Sequence, residues 1–112
     1  MAAEIAGALV EMFPDEAKFW IWLAYSTRRK TGGGIPDAKR ILLVAEVKFP
    51  REYLFPYNLA CYCSQLHQFR EAKKWFKKAI LIDDKTVQKL GVDDPDLKPL
   101  WNSMSGTIWK RE

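Results

Sequence analysis

Residues 2–24, AAEIAGALVEMFPDEAKFWIWLA, and residues 38–60, AKRILLVAEVKFPREYLFPYNLA, decide the fold, because the two stretches align at a constant offset of 36. Identities fall at Ala2/Ala38, Ile5/Ile41, Phe13/Phe49, Pro14/Pro50, Glu16/Glu52, Phe19/Phe55, Leu23/Leu59 and Ala24/Ala60. Self-similarity at this period marks stacked supersecondary units, each too small to bury its apolar face alone. The architecture is therefore readable. Such scaffolds share a core pattern and differ in their grooves, so the sequence names a mode of action and no particular partner.

Working outward, residues 3–12 read as a short apolar helix that ends before Phe13-Pro14, since a residue preceding proline is pushed out of the helical region. Asp15 and Glu16 open a helix over 17–30, where acidic groups complement the positive end of its dipole. Arg28, Arg29 and Lys30 suit the other end. The run Thr31-Gly32-Gly33-Gly34 breaks it, and Pro36-Asp37 starts a helix to Lys48 that Phe49-Pro50 closes. A fourth helix is expected over 54–66, a tight turn at His67-Gln68, and a fifth helix over 69–82. Residues 85–90 read as one more turn of helix stopped by Gly91. Asp93-Asp94-Pro95 resembles a cap and first helical residue for a segment reaching Met104, with its start left open by Pro99. The tail from Ser105 to Glu112 reads as frayed, with Ile108 and Trp109 able to dock on the last helix.

Close helix crossings need small residues at the contact and larger ones around it. Ala24, Ala38 and Ala45 supply the first hairpin, with Trp20, Leu23 and Leu42 filling space. Ala60, Ala72 and Ala79 are the counterparts in the second, beside Leu59, Cys63 and Phe76. At an offset of 34, Ala38/Ala72, Lys39/Lys73 and Ala45/Ala79 also align, which puts a two-residue insertion in the first hairpin's glycine loop.

The chain has 112 residues, 48% hydrophobic and 29% charged, with a net charge of +4, the make-up of one globular domain. No basic leader precedes Glu4 and Glu11, so no secretory signal is expected. No apolar run of about 18 residues offers a membrane span. Cys61 and Cys63, two apart on a helix, point to nearly opposite sides, which argues against a disulfide and for a reducing, cytoplasmic setting.

This alternation resembles the tetratricopeptide repeat family, whose motif has a Trp and a Leu-small pair in its first helix, then small, large and small residues and a closing Pro. One unit over 17–52 carries Trp20, Leu23-Ala24, Ala38, Leu42, Ala45 and Pro50. A second over 53–86 matches at Leu59-Ala60, Ala72, Phe76 and Ala79, and departs with Pro56 for Trp, His67 for Gly and Asp84 for Pro. Residues 1–14 match a half-repeat, either a cap or part of a longer array. Residues 87–104 form a C-terminal cap, in which Asp94 to Trp101 resembles a closing stretch, and 105–112 a tail. The resemblance implies one all-α domain over 1–104, a right-handed superhelix of stacked antiparallel hairpins. It also implies a concave surface that holds a peptide or helix of a partner protein.

On that surface the first unit would present Lys18, Ile21, Trp22, Tyr25, Arg28 and Arg29, at spacings of three and four. The second would present Leu54, Tyr57, Asn58, Cys61 and Gln65. Rings beside cations suit an extended peptide with apolar anchors and acidic groups. The blander alternative has Trp22 and Tyr25 packing on a neighbouring helix and the arginines as solvated helix-end charges. Asn58 stands where the family's groove asparagine contacts a peptide backbone, or else bonds within the stack. Ile21 and Tyr25 replace the Lys and Asn of the carboxylate-clamp subgroup, which disfavours the acidic chaperone tails that subgroup grips.

Arg70, Lys73, Lys74, Lys77 and Lys78 line one face of the fifth helix. They read as a solvated outer face, with nucleic-acid or other polyanion binding as the competing function. No nucleic-acid-reading motif accompanies them, so a protein partner is preferred. Self-association remains open, through the uncovered first helix and the Trp101/Trp109 end. Catalysis is not expected: His67 lies in a turn with no nucleophile paired to it. A metal or cofactor is not expected either, because Cys61, Cys63 and His67 diverge and the three glycines lack the residues of a phosphate-binding loop.

Overall fold

Phe13 and Phe49, each held before a proline, leave their helices with nearly the same backbone angles, φ −132°, ψ 66° and φ −123°, ψ 71°. In each turn the phenylalanine N–H donates to the carbonyl four residues back, Leu9 or Ala45, at 2.8 Å. The glutamate three residues on donates its N–H to the phenylalanine carbonyl, both at 3.1 Å. The ring pairs repeat as well, Phe13 with Phe19 at 5.8 Å and Phe49 with Phe55 at 5.5 Å between centroids. The internal repeat of the sequence is thus a repeat of local structure.

The computed structural model describes residues 2–30 and 34–104. Expectations for the Thr31–Gly33 part of the glycine loop, and for the tail with Ile108 and Trp109, lie outside the described residues. Among those described, all regular structure is helical: α1 (Ala3–Met12), α2 (Ala17–Arg29), α3 (Ile35–Lys48), α4 (Leu54–Gln65), α5 (Phe69–Ile82), α6 (Asp84–Asp93), a 3-10 turn (Pro95–Leu97) and α7 (Lys98–Ser103). Each of α1 to α5 packs on the next along the chain. The resulting body measures 48 × 30 × 20 Å. No described helix is long and apolar enough to cross a membrane.

Ala24, Ala38 and Ala45 lie buried where α2 meets α3, and Ala60, Ala72 and Ala79 where α4 meets α5. Leu42, Phe55 and Leu59 fill the space around them and are fully buried. Glu46 on α3 is buried as well, and both its carboxylate oxygens accept from Lys78 Nζ on α5 at 2.8 Å. That pair ties α3 to α5.

Two sequence expectations change at the C-terminal end. Gly91 does not stop a short turn but lies inside the longer α6, because the Phe76 ring fills the space where a Cβ would sit, 2.7 Å away. Trp101 Nε1 donates to the Gly91 carbonyl at 2.9 Å, so α7 is locked to the same spot. Asp94 caps the 3-10 turn, accepting from Asp96 N at 2.9 Å, and Pro99 falls in the first turn of α7, where its missing N–H costs no bond.

Helix α4 has α3 on one side, α5 on another, and the 3-10 turn and α7 across a third. Its residues from Phe55 to Ser64 are accordingly buried almost all round, Asn58 excepted. Among the described residues α2 packs mainly on α1 and α3, and its Trp22 and Tyr25 are exposed.

Candidate functional site

The residues expected to line a groove lie in two rows, one on α2 and one on α4, and Arg28 of the first stands 5.5 Å from the centroid of the Tyr62 ring on α4. Over the α4 row lies the chain's own segment 94–100, a strap made of the 3-10 turn and the start of α7. Tyr57 donates its hydroxyl to Asp94 Oδ2 at 2.6 Å, and Gln65 Nε2 donates to Asp96 Oδ1 at 2.9 Å. Arg28 reaches across from α2 to Asp96 Oδ2 at 3.4 Å. Deeper in, Ser64 Oγ accepts from Leu100 N at 3.1 Å, and Leu97 and Leu100 are fully buried. Tyr57, Cys61, Gln65 and Arg28 therefore hold acidic and apolar groups, but those of their own chain.

This clasp sets the state of its ionisable groups. Burial first, and then the hydrogen bond to Asp94, pushes the Tyr57 phenol far above its ordinary range. Burial and the nearby Asp94 and Asp96 carboxylates likewise push up the Cys61 thiol, with Arg28 opposing. Burial also raises Cys63. Both cysteines are free thiols, and raised values keep them protonated and unreactive. Cys61 Sγ and one oxygen each of Asp94 and Asp96 lie within 4.8 Å of one another, a grouping of metal-ligand type that the sequence reading did not foresee. Those carboxylates are already shared among Tyr57, Gln65, Arg28 and the Asp96 N–H. The arrangement acts as a hydrogen-bonded clasp.

The α2 row is different. Trp22 is 39% exposed and Tyr25 52% exposed, with Ile21 half-buried between them and the core. Trp22 meets Phe19 edge-on at 5.2 Å, and the Lys18 ammonium stands 5.3 Å from the same ring. Arg29 donates to the Tyr25 hydroxyl and lays its guanidinium 5.0 Å from that ring's centroid. Beside them Tyr25, Ser26, Arg29 and Lys30, with Ala2 to Glu4 of the neighbouring α1 end, enclose a cavity of about 570 Å³. Trp20 faces the other way, donating Nε1 to the Pro14 carbonyl at 2.9 Å. Leu54 and Asn58 are half-buried at the edge of the strap.

The five cations of α5 all reach solvent. Lys78 is nevertheless committed to Glu46, and Lys74 and Lys78 flank the Trp75 ring at 5.9 and 5.4 Å. Arg70, Lys73, Lys74 and Lys77 are left as the exposed row. Ser64 on α4, and Asp94 and Asp96 in the closing stretch, were not among the expected site residues, and nothing in the sequence pairs that stretch with Tyr57 and Gln65.

No family model, no curated protein and no solved structure matches the chain.

Proposed function

We propose that this chain is a protein-binding module of the tetratricopeptide type, a right-handed superhelical stack that holds a peptide or helix of a partner protein and has no catalytic step of its own. The observation that carries the reading is the strap. On α4, the face equivalent by repeat to the α2 row already grips the acidic and apolar segment 94–100 through the Tyr57 phenol and the Gln65 amide, and the Arg28 guanidinium of α2 reaches the same segment. Leu97 and Leu100 are buried beneath them. The α2 row offers the Tyr25 phenol and the Arg29 guanidinium, and among the described residues the strap meets this row at Arg28. Two free, buried thiols fit a reducing setting such as the cytoplasm.

Capture of partners from a cell lysate tests this, with the intact chain and Trp22→Ala/Arg29→Glu compared after circular dichroism and melting show both equally folded. A protein retained by the intact chain alone is the expected result. Equal retention by both chains moves the site off α2. The exposed row of Arg70, Lys73, Lys74 and Lys77 supports polyanion binding as the second reading. Recovery of nuclease-sensitive material that washes off with modest salt is the result that would favour it.

A further inference from the structure

The strap also says what chemistry the open row would take. At the repeat offset, Tyr57, Asn58, Cys61, Ser64 and Gln65 of α4 correspond to Ile21, Trp22, Tyr25, Arg28 and Arg29 of α2. The amide that holds the Asp96 carboxylate on α4 is thus replaced on α2 by a guanidinium, and Asn58 and Cys61 give way to the larger rings of Trp22 and Tyr25. Resting on the reading above, we propose that the α2 face binds an acidic peptide of a partner protein, laid beside the strap with a carboxylate on Arg29 and an apolar residue against Trp22 and Ile21.

Three observations carry this. The acidic edge of the strap already runs onto α2, where Asp96 meets Arg28, so the new interface continues an existing one. The charge is complementary: among the described residues Lys18, Arg29 and Lys30 are in no ion pair, against a single acid, Glu4, on the rim of the adjoining cavity. Finally, Arg29 is held by the Tyr25 hydroxyl and ring, so its fork is set before a ligand arrives. A positioned guanidinium takes a carboxylate in bidentate fashion with less ordering on binding.

The arrangement also links the strap to the ligand. Arg28 is shared, and while Asp96 holds it the incoming peptide meets one guanidinium fewer. Loosening that contact tightens binding.

The test is a fluorescence-anisotropy titration of the full chain with a labelled synthetic peptide copying residues 92–100, VDDPDLKPL, and with a second copy carrying Asn for each Asp. The Asp copy should bind at least tenfold tighter than the Asn copy. Arg29→Glu, and Arg29→Gln should the first variant fold poorly, should cut that affinity tenfold. Lys89→Glu, which makes the same charge change on α6, should leave it within twofold. Asp96→Asn should tighten binding threefold or more. Equal binding of both copies overturns the acidic class while leaving a groove for some other peptide in place. An equal loss in Lys89→Glu reduces the attraction to net charge and overturns it too. Alkylation of Cys61 on adding the peptide would show displacement of the strap from α4, which overturns the placement on α2. No binding at all also overturns the proposal, and the lysate capture then decides the broader reading separately.

Discussion

His67 closes α4 with φ 60°, the left-handed conformation that favours glycine. Its N–H donates to the Ser64 carbonyl at 3.1 Å and that of Gln68 to the Cys63 carbonyl at 2.8 Å, the paired bonds of a Schellman turn. A side chain at this backbone costs roughly 1–2 kcal/mol, offset in part by the extra freedom glycine has when unfolded. Loss of the His67–Phe69 ring contact at 5.2 Å trims the difference further. His67→Gly should therefore stabilise the domain by about 0.5–1 kcal/mol, read as a higher urea midpoint with unchanged slope. Sequence pattern marks this position as one where the tetratricopeptide motif that the chain resembles has glycine; that the histidine adopts the glycine backbone anyway is a matter of the helix behind it and the turn ahead. The reverse holds at Lys78. Its place in a row of like charges predicted a solvated side chain, and the buried Glu46 opposite it could not be seen because the pairing spans two hairpins.

At the level of elements, α6 and the strap show where tertiary contact overrides local pattern. Glycine at the end of a short periodic stretch reads as a helix stop, yet Gly91 is needed for the close approach of the Phe76 ring. Gly91→Ala should accordingly cost about 1–3 kcal/mol through overpacking, despite alanine's better helix propensity. Thermal melts of the two chains check the sign, which propensity alone would reverse. Leu97 and Leu81 make a second contrast within one residue type. Leu97 is fully buried under the strap and Leu81 is 86% exposed. Leu97→Ala should cost about 2–5 kcal/mol and Leu81→Ala less than about 0.5 kcal/mol, compared by chemical denaturation. The ends of α1 and α3 were legible from Phe13-Pro14, Pro36 and Phe49-Pro50, and those of α5 from its periodicity. The closing of the α4 row was not, since Asp94 and Asp96 find Tyr57 and Gln65 across some thirty residues of intervening chain.

For the molecule as a whole, the protonated groups of the core set a limit on alkaline stability. The thiols of Cys61 and Cys63 and the phenols of Tyr57 and Tyr62 all titrate higher when folded than their usual values of 9.0 and 10.0. Above about pH 9 the unfolded chain gives up these protons while the folded chain keeps them. Unfolding then releases protons, so stability falls as pH rises through 9 and beyond, while these groups contribute no slope between pH 6 and about 8. Urea midpoints at pH 7, 9 and 10 should decline in that order, and replacing Cys61 by Ser should flatten the decline. The repeat that organises this molecule was visible from eight identities, and the alanine crossings followed from it. The covering of one row was not, because the segment 94–100 that lies over α4 meets it only through contacts distant in sequence.

The two Phe-Pro turns leave their helices at nearly the same angles and close with the same hydrogen bonds. They are therefore interchangeable splice joints. A second copy of residues 15–50 inserted after Pro50 meets at each end the backbone geometry it left, so the chain can be lengthened by whole hairpins while the strap stays at its end. Length would then become a design variable, counted in modules, with the open face growing by one row at each step.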